Sequence, residues 1–281
     1  MKVLSNIKKI KLIKAEIDEL IKPEIDIQNR INENFKACYK FEETDEDAQQ
    51  EIKKWEPQIK EVTKMLQLKP AEIEIFDERL HVDLVINPCA IPANSPTYRC
   101  EFTAIKMDDR QWTYGLARTE CNHNPAYQAN MIDAKCAAYG YGKLGKSYGR
   151  IWAYAWFYFY PHYPTPRWIL VKPRFHLHGF YYLAGTSSAV LIATSRGYQD
   201  GYFRGGAIKY PLIETAPASD RYDATIETEF WMPVQAKPFI VMAGVELRAR
   251  AKGVGSLAYI DFSSGPGNYI KIPWVNTSSP F

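Results

Sequence analysis

The ten residues Ile151–Tyr160 constrain the fold more than any other stretch. Every second one (Ile151, Ala153, Ala155, Phe157, Phe159) is small or apolar, and those between are Trp152, Tyr154, Trp156, Tyr158 and Tyr160. A period of two without helical spacing, in a run this rich in aromatics, is a β-strand with two different faces. After a Pro-rich turn (Pro161, Pro164, Pro166) a second strand repeats the pattern. It has Ile169, Val171, Phe175 and Leu177 on one side and Trp168, Leu170, Lys172, Arg174, His176 and His178 on the other. Paired as an antiparallel hairpin, the two strands place both apolar sets in one core and set the aromatic ladder beside the basic one. Trp152, Tyr154, Trp156, Lys172, Arg174, His176 and His178 are therefore the expected binding face. No Asp or Glu lies between Arg150 and Gly185, so the expected ligand is anionic, an anionic glycan before nucleic acid.

Residues 1–70 have a different texture. They carry 28 charged side chains, evenly split in sign, and none of the 16 glycines. Val3, Ile7, Ile10, Ile17, Ile21, Ile31, Phe35 and Cys38 follow three-four spacing, with a kink expected at Pro23. Ala48, Ile52, Trp55, Ile59, Val62 and Leu66 make a heptad seam interrupted by Pro57. The spacing predicts a helical stalk or hairpin over 1–70, a coiled coil that makes the chain a homo-oligomer, with a trimer favoured.

From residue 71 short alternating runs are separated by Pro, Gly and Asp turn signals: Tyr98–Met107, Trp112–Arg118, Phe180–Leu183, Ala189–Thr194, Thr225–Trp231, Phe239–Arg250, Leu257–Phe262 and Tyr269–Trp274. Two exceptions are expected. The Ala-rich stretch from Asn124-Pro125 to Gly140 reads as a helix, and Gly197–Gly206 reads as a loop. Ten or so strands without alternating helices predict a mostly β chain. Its expected form is an antiparallel β-sandwich, jelly-roll-like, over 71–281, preceded by the α-helical coiled-coil region.

A formal charge of +3 gives no whole-molecule attraction to nucleic acid or to an anionic membrane. The N-terminus offers no uninterrupted apolar h-region, and no apolar run approaches 18 residues, so neither a signal peptide nor a membrane span is expected. That places synthesis in the cytoplasm, with release in a virion-type particle as one destination. The five cysteines are odd in number and irregularly spaced, as free thiols would be, although Cys89 and Cys100 are placed to bridge a β-hairpin under oxidation.

Chemistry motifs are sparse. Gly140-Tyr-Gly-Lys-Leu-Gly145-Lys146-Ser147 matches the phosphate-loop pattern, and Asp261 follows an apolar run as a partner acid would. That loop requires a following helix, whereas Tyr148-Gly149 leads into the most strand-like segment. Cys121, His123 and Cys136 lack the paired half-site of a structural zinc site, and His176 with His178 lacks a third metal ligand. No Gly-x-Ser-x-Gly elbow occurs. No catalytic residue, cofactor or metal ligand is expected.

The layout of a helical stalk followed by a β head is similar to that of fibre-like and receptor-binding proteins of virions, and to some adhesive surface modules. The resemblance implies a non-enzymatic structural or attachment protein, an oligomeric component of a larger particle that contacts its other subunits. The alternatives are a soluble, lectin-like glycan-binding module and, third, a nucleotide hydrolase using residues 140–147.

Overall fold

The structure is a computed structural model. It describes residues 104–124, 130–141, 145–161, 165–263 and 268–279, the strand backbone at 89–91 and 97–100, and Glu19, Lys22, Asp26, Asn29 and Arg30. Those last five are helical and exposed. The rest of the expected stalk, including the seam at Ala48–Leu66, lies outside the described residues. No helix among the described residues is long and apolar enough to cross a membrane.

Twelve strands follow in order: β1 (Cys89–Ile91), β2 (Thr97–Cys100), β3 (Lys106–Tyr114), β4 (Leu116–Asn124), β5 (Met131–Tyr139), β6 (Lys146–Pro161), β7 (Arg167–Gln199), β8 (Tyr202–Thr215), β9 (Ala218–Glu227), β10 (Phe230–Val234), β11 (Phe239–Asp261) and β12 (Tyr269–Ser278). Their pairings are antiparallel except for β1 with β6.

Two long strands organise the chain because each bends part-way and serves two layers. Over Phe239–Lys252, β11 lies between β6 and the second half of β7, giving one layer in the order β3, β6, β11, β7, β8. Over Leu257–Asp261 it lies between β5 and the first half of β7, in a second layer that also holds β4, β12, β9 and β10. The bends fall at Gly185 (φ 64°) and at Gly253 and Gly255 (φ 75° and 79°), a backbone region that other L residues rarely adopt. A Cβ on Gly185 would lie 2.5 Å from Ser256 Oγ. That hydroxyl accepts from Thr186 N (2.8 Å) and donates to Lys252 O (2.6 Å), tying one bend to the other.

Apolar side chains of both layers meet in one cluster. Ile151, Ala153, Ala155, Phe157 and Phe159 of β6 join Val241, Val245 and Leu247 of β11 and Ala189 and Leu191 of β7 from the first layer. Ile132, Phe175, Leu177, Ile260 and Ile270 come from the second. The alternation read along these strands is thus the alternation of core against outer face.

Four expectations change. The Asn124–Gly140 helix is instead strand β5 over Met131–Tyr139. Its Ile132, Ala134, Cys136 and Ala138 are buried, while β4 and β11 complete its hydrogen bonds. A helical preference of well under 1 kcal/mol per alanine yields to that burial. The Gly197–Gly206 loop shrinks to a tight turn at Asp200-Gly201. Gly197 and Gly205 stand where β10 packs, since a Cβ on Gly197 would meet Met232 Sδ at 2.4 Å and one on Gly205 would meet Trp231 O at 2.5 Å. Cys89 and Cys100 do not face one another across a hairpin, because β1 pairs with β6 and β2 with β12. Finally, β6 does not pair with the first half of β7. β6 lies in the first layer and β7 begins in the second, which alternation within each strand cannot reveal.

Candidate binding cleft at the strand bends

Where β7 and β11 leave the first layer they open a cleft of about 510 Å³, lined by Lys146, Thr186, Ser187, Ser188, Thr215, Arg250 and Lys252 and by backbone around Gly185, Ala216 and Ala251. Strand register explains how a scattered set of residues arrives there. On the outer face one row runs Lys146, Lys252, Thr186 across β6, β11 and β7; the next runs Tyr148, Arg250, Ser188, Thr215 and ends on β8. Neighbouring strands lie roughly 5 Å apart, so three cations and a group of hydroxyls share a surface only a few strands wide. Among the described residues that line it, none carries a carboxylate.

Two side chains are held in place from below. The Arg250 guanidinium lies 5.5 Å from the ring of Tyr148, and burial pushes the Tyr148 phenol up to about 12. Ser147 is fully used by the fold: its Oγ accepts from Leu116 N (2.8 Å) and donates to Tyr139 O (2.5 Å). Ser187 Oγ is closed off beneath the cleft, with no hydrogen-bond partner among the described residues.

One row further along, like charges oppose each other again, Arg150 on β6 beside Arg248 on β11. Here Glu246 sits with them, and its Oε1 accepts from the Nε of both arginines at 2.5 Å. Arg150 and Glu246 are 3% and 6% exposed, and Trp112 lies against the Arg150 guanidinium at 4.6 Å.

The expected binding face is divided by the bend in the fold. Trp152, Tyr154 and Trp156 are 4%, 0% and 1% exposed and form a separate apolar cluster on the outer face of the first layer with Ile105, Tyr198, Ile240 and Met242. Neighbouring Trp112 donates its Nε1–H to Asn29 Oδ1 (3.2 Å), so a residue of the N-terminal region reaches this face. The cationic ladder lies in the second layer, and it is not short of acids. Lys172 pairs with Glu229 (2.9 Å), Arg174 with Glu227 (3.5 Å) and His178 with Asp223 (3.1 Å). His176 packs edge-on against Trp274. Burial, then the charges of Arg174, His178 and Lys271, hold it below the usual imidazole range. The acids come from β9 and the turn after it, far along the sequence, so the premise that pointed to an anionic partner for this ladder does not hold.

No family model matches this chain, and no curated protein matches it. Some solved structures show a likeness. A family 11 carbohydrate-binding module from Clostridium thermocellum, in complex with a β-1,3-1,4-mixed-linked tetrasaccharide, is 11% identical and covers 58% of this chain and 88% of its own, with a TM-score of 0.23. TmCBM61 in complex with β-1,4-galactotriose is 9% identical over 58% of this chain and 86% of its own, with a TM-score of 0.21. The enzymatically active domain of bacteriophage CBA120 tailspike protein 4 is 10% identical over 59% of this chain and 19% of its own, with a TM-score of 0.17. At these scores the likenesses assign no residue and no ligand.

The remaining motifs separate as well. The string 140–147 leads directly into strand β6, with Gly145 bridged to Tyr141, so no helix N-terminus follows it. Asp261 accepts from Tyr259 OH (2.7 Å) and Ser263 N (2.7 Å), which engages it in its own turn. Cys136 is in the core, where burial pushes its thiol up to about 12, and burial raises Cys121 further still. Among the described residues, the ligand types close enough to share a metal are Asp108, Asp109 and His123, within 4.8 Å. Asp108 already meets Arg110 (3.0 Å) and Asp109 meets His123 (3.5 Å).

The cleft itself was missed. Its signal was present: Arg248-Ala249-Arg250-Ala251-Lys252 places a cation at every second residue of a strand. Which hydroxyls and which further cation stand beside them depends on strand neighbours far along the chain, on β6, β7 and β8, while the acid that takes Arg248, Glu246, lies on the same strand.

Proposed function

We propose that the chain is a non-enzymatic binding module, with the bent sheet as a β-sandwich head, and that it takes a glycan in the cleft at the strand bends. The observation that carries this reading is the lining. It combines Thr186, Ser188 and Thr215 hydroxyls with Lys146, Arg250 and Lys252, a set of donors suited to the hydroxyl, ring and acidic oxygens of a saccharide. Titrating the full chain with neutral and acidic oligosaccharides, followed by calorimetry, should give saturable binding. Arg250→Gln should weaken it roughly tenfold, the loss of one charge-assisted hydrogen bond. A panel with no binder at millimolar concentration sinks the reading.

A second reading, attachment within a larger particle, is favoured by the apolar surface of β8. Tyr202, Phe203, Ile208, Tyr210 and Ile213 are each more than half exposed, more than a solitary domain ordinarily leaves on one strand. Under it the full chain is an oligomer by sedimentation, and Ile208→Ser with Ile213→Ser lowers the mass.

A further inference from the structure

Two tryptophans stand in solvent on the outer face of the second layer. Trp168 on β7 is 58% exposed and Trp231 on β10 is 47% exposed. Register brings them together: Trp168 pairs with Pro233 and Leu170 with Trp231. The residues between them, Ile169, Val171, Phe230 and Met232, point the other way into the core. Trp168, Leu170, Trp231 and Pro233 therefore share one face, and the two rings are diagonal neighbours within reach of a single ligand. Beyond them the surface turns polar. On β12, Ser278 lies beside Leu170 and Asn276 beside Lys172, and the cations that follow along β7 are matched in place, Lys172 by Glu229 (2.9 Å) and Arg174 by Glu227 (3.5 Å).

We propose that Trp168 and Trp231 form a stacking platform for a neutral glycan, a β-1,4-linked glucan, with Lys172 and Glu229 meeting hydroxyls at the edge of the rings. Size and charge select this occupant. About half of two indole side chains, each able to bury about 150–250 Å², falls far short of the roughly 800 Å² that each partner gives to a standard protein interface. The paired ions bordering the rings give a charged ligand nothing to gain. A pyranose with equatorial substituents suits both features: its axial C–H groups make a flat apolar face, and the hydroxyls around its rim take donors and acceptors together. The platform shares its class of ligand with the proposed function but rests on none of the cleft residues, since Lys146, Arg250 and Lys252 belong to the first layer.

The probe is cellohexaose, added to the full chain and followed by calorimetry and by tryptophan fluorescence. It should bind saturably, shift the emission to the blue, and keep its affinity in added chloride salt, because the ligand carries no charge. Trp168→Ala and Trp231→Ala should each weaken binding roughly tenfold. Trp231→Phe, which keeps a flat ring, should retain most of the affinity, and none of the three should lower the unfolding temperature, since the rings stand in solvent. Arg250→Gln should bind cellohexaose as the parent does. No binding of cellohexaose, or equal affinity in the parent and both alanine variants, overturns the proposal. So does a lower sedimentation mass in the alanine variants, which would put a second copy of the chain on the rings. Cellohexaose binding weakened by Arg250→Gln alone keeps the cleft and removes the platform, as does binding of an acidic oligosaccharide where cellohexaose does not bind. Binding weakened by the tryptophan changes alone keeps the platform and takes this ligand from the cleft.

Discussion

The aromatic ladder of β6 and the cationic ladder of β7 share a period of two, and each points away from the common core in its own layer, yet they meet opposite environments. Trp152, Tyr154 and Trp156 are shut into an apolar cluster, although they point away from the main core. Lys172, Arg174 and His178 remain half-buried at the surface, each matched by a carboxylate. The difference teaches that alternation along a strand defines two faces but not which of them is wet. Large rings exposed on a sheet are costly and are covered where a neighbour exists. Long cations keep their heads near water and take acids from whichever strand lies alongside.

The largest expected effect tests the aromatic side of this contrast. Trp156→Ala should destabilise the chain by about 3–5 kcal/mol, the range for an emptied aromatic site, measured by chemical denaturation. A loss of the size seen at solvent-facing positions, below about 0.5 kcal/mol, would mean that the ladder is exposed after all and restore it as a binding face.

A smaller effect comes from His176. Its folded pKa lies below the unfolded one, so protonation favours the unfolded chain. The stability it permits is whole above the unfolded value near ~6.5 and is lost as pH falls from there towards the folded pKa. His176→Asn should remove that part of the acid sensitivity, by less than about 1 kcal/mol because the ring is only partly buried. A variant that keeps the same pH profile between 7 and 5 would show that the imidazole is not the group responsible.

The smallest effect sharpens the other side. A double-mutant cycle on Lys172→Ser and Glu229→Gln should return a coupling at the margin of detection, as for an exposed ion pair screened by solvent. A coupling as large as that of a cycle on Arg150 and Glu246 would put this pair among the buried ones and erase the contrast.

Much of the fold was legible. Ile151–Tyr160, Phe239–Arg250 and Tyr269–Trp274 are strands where their alternation placed them, because burying one face of a pleated ribbon leaves a period-two record that needs no partner to be read. Helix against strand at 131–139 was not legible, since Ala, Cys and Tyr satisfy both patterns and the ladder partners that decide between them are β4 and β11. Nor was the cleft. Lys146 stood out as part of a phosphate-loop string, but that signal did not link it to Thr186, Ser188, Arg250 and Lys252.

Sequence alone therefore determined which side chains share a strand face, since that follows from local geometry at every second residue. The turns through positive φ at Gly185, Gly253 and Gly255 came only with the folded chain. Tertiary structure decided the rest: that β7 and β11 bend at the same level, that their bends are clasped by Ser256, and that Lys146 and Lys252 are set side by side. The physical reason is that neighbours in a sheet are chosen by the closure of long loops and the burial of one common core. Those are properties of the whole chain, and no single strand carries them.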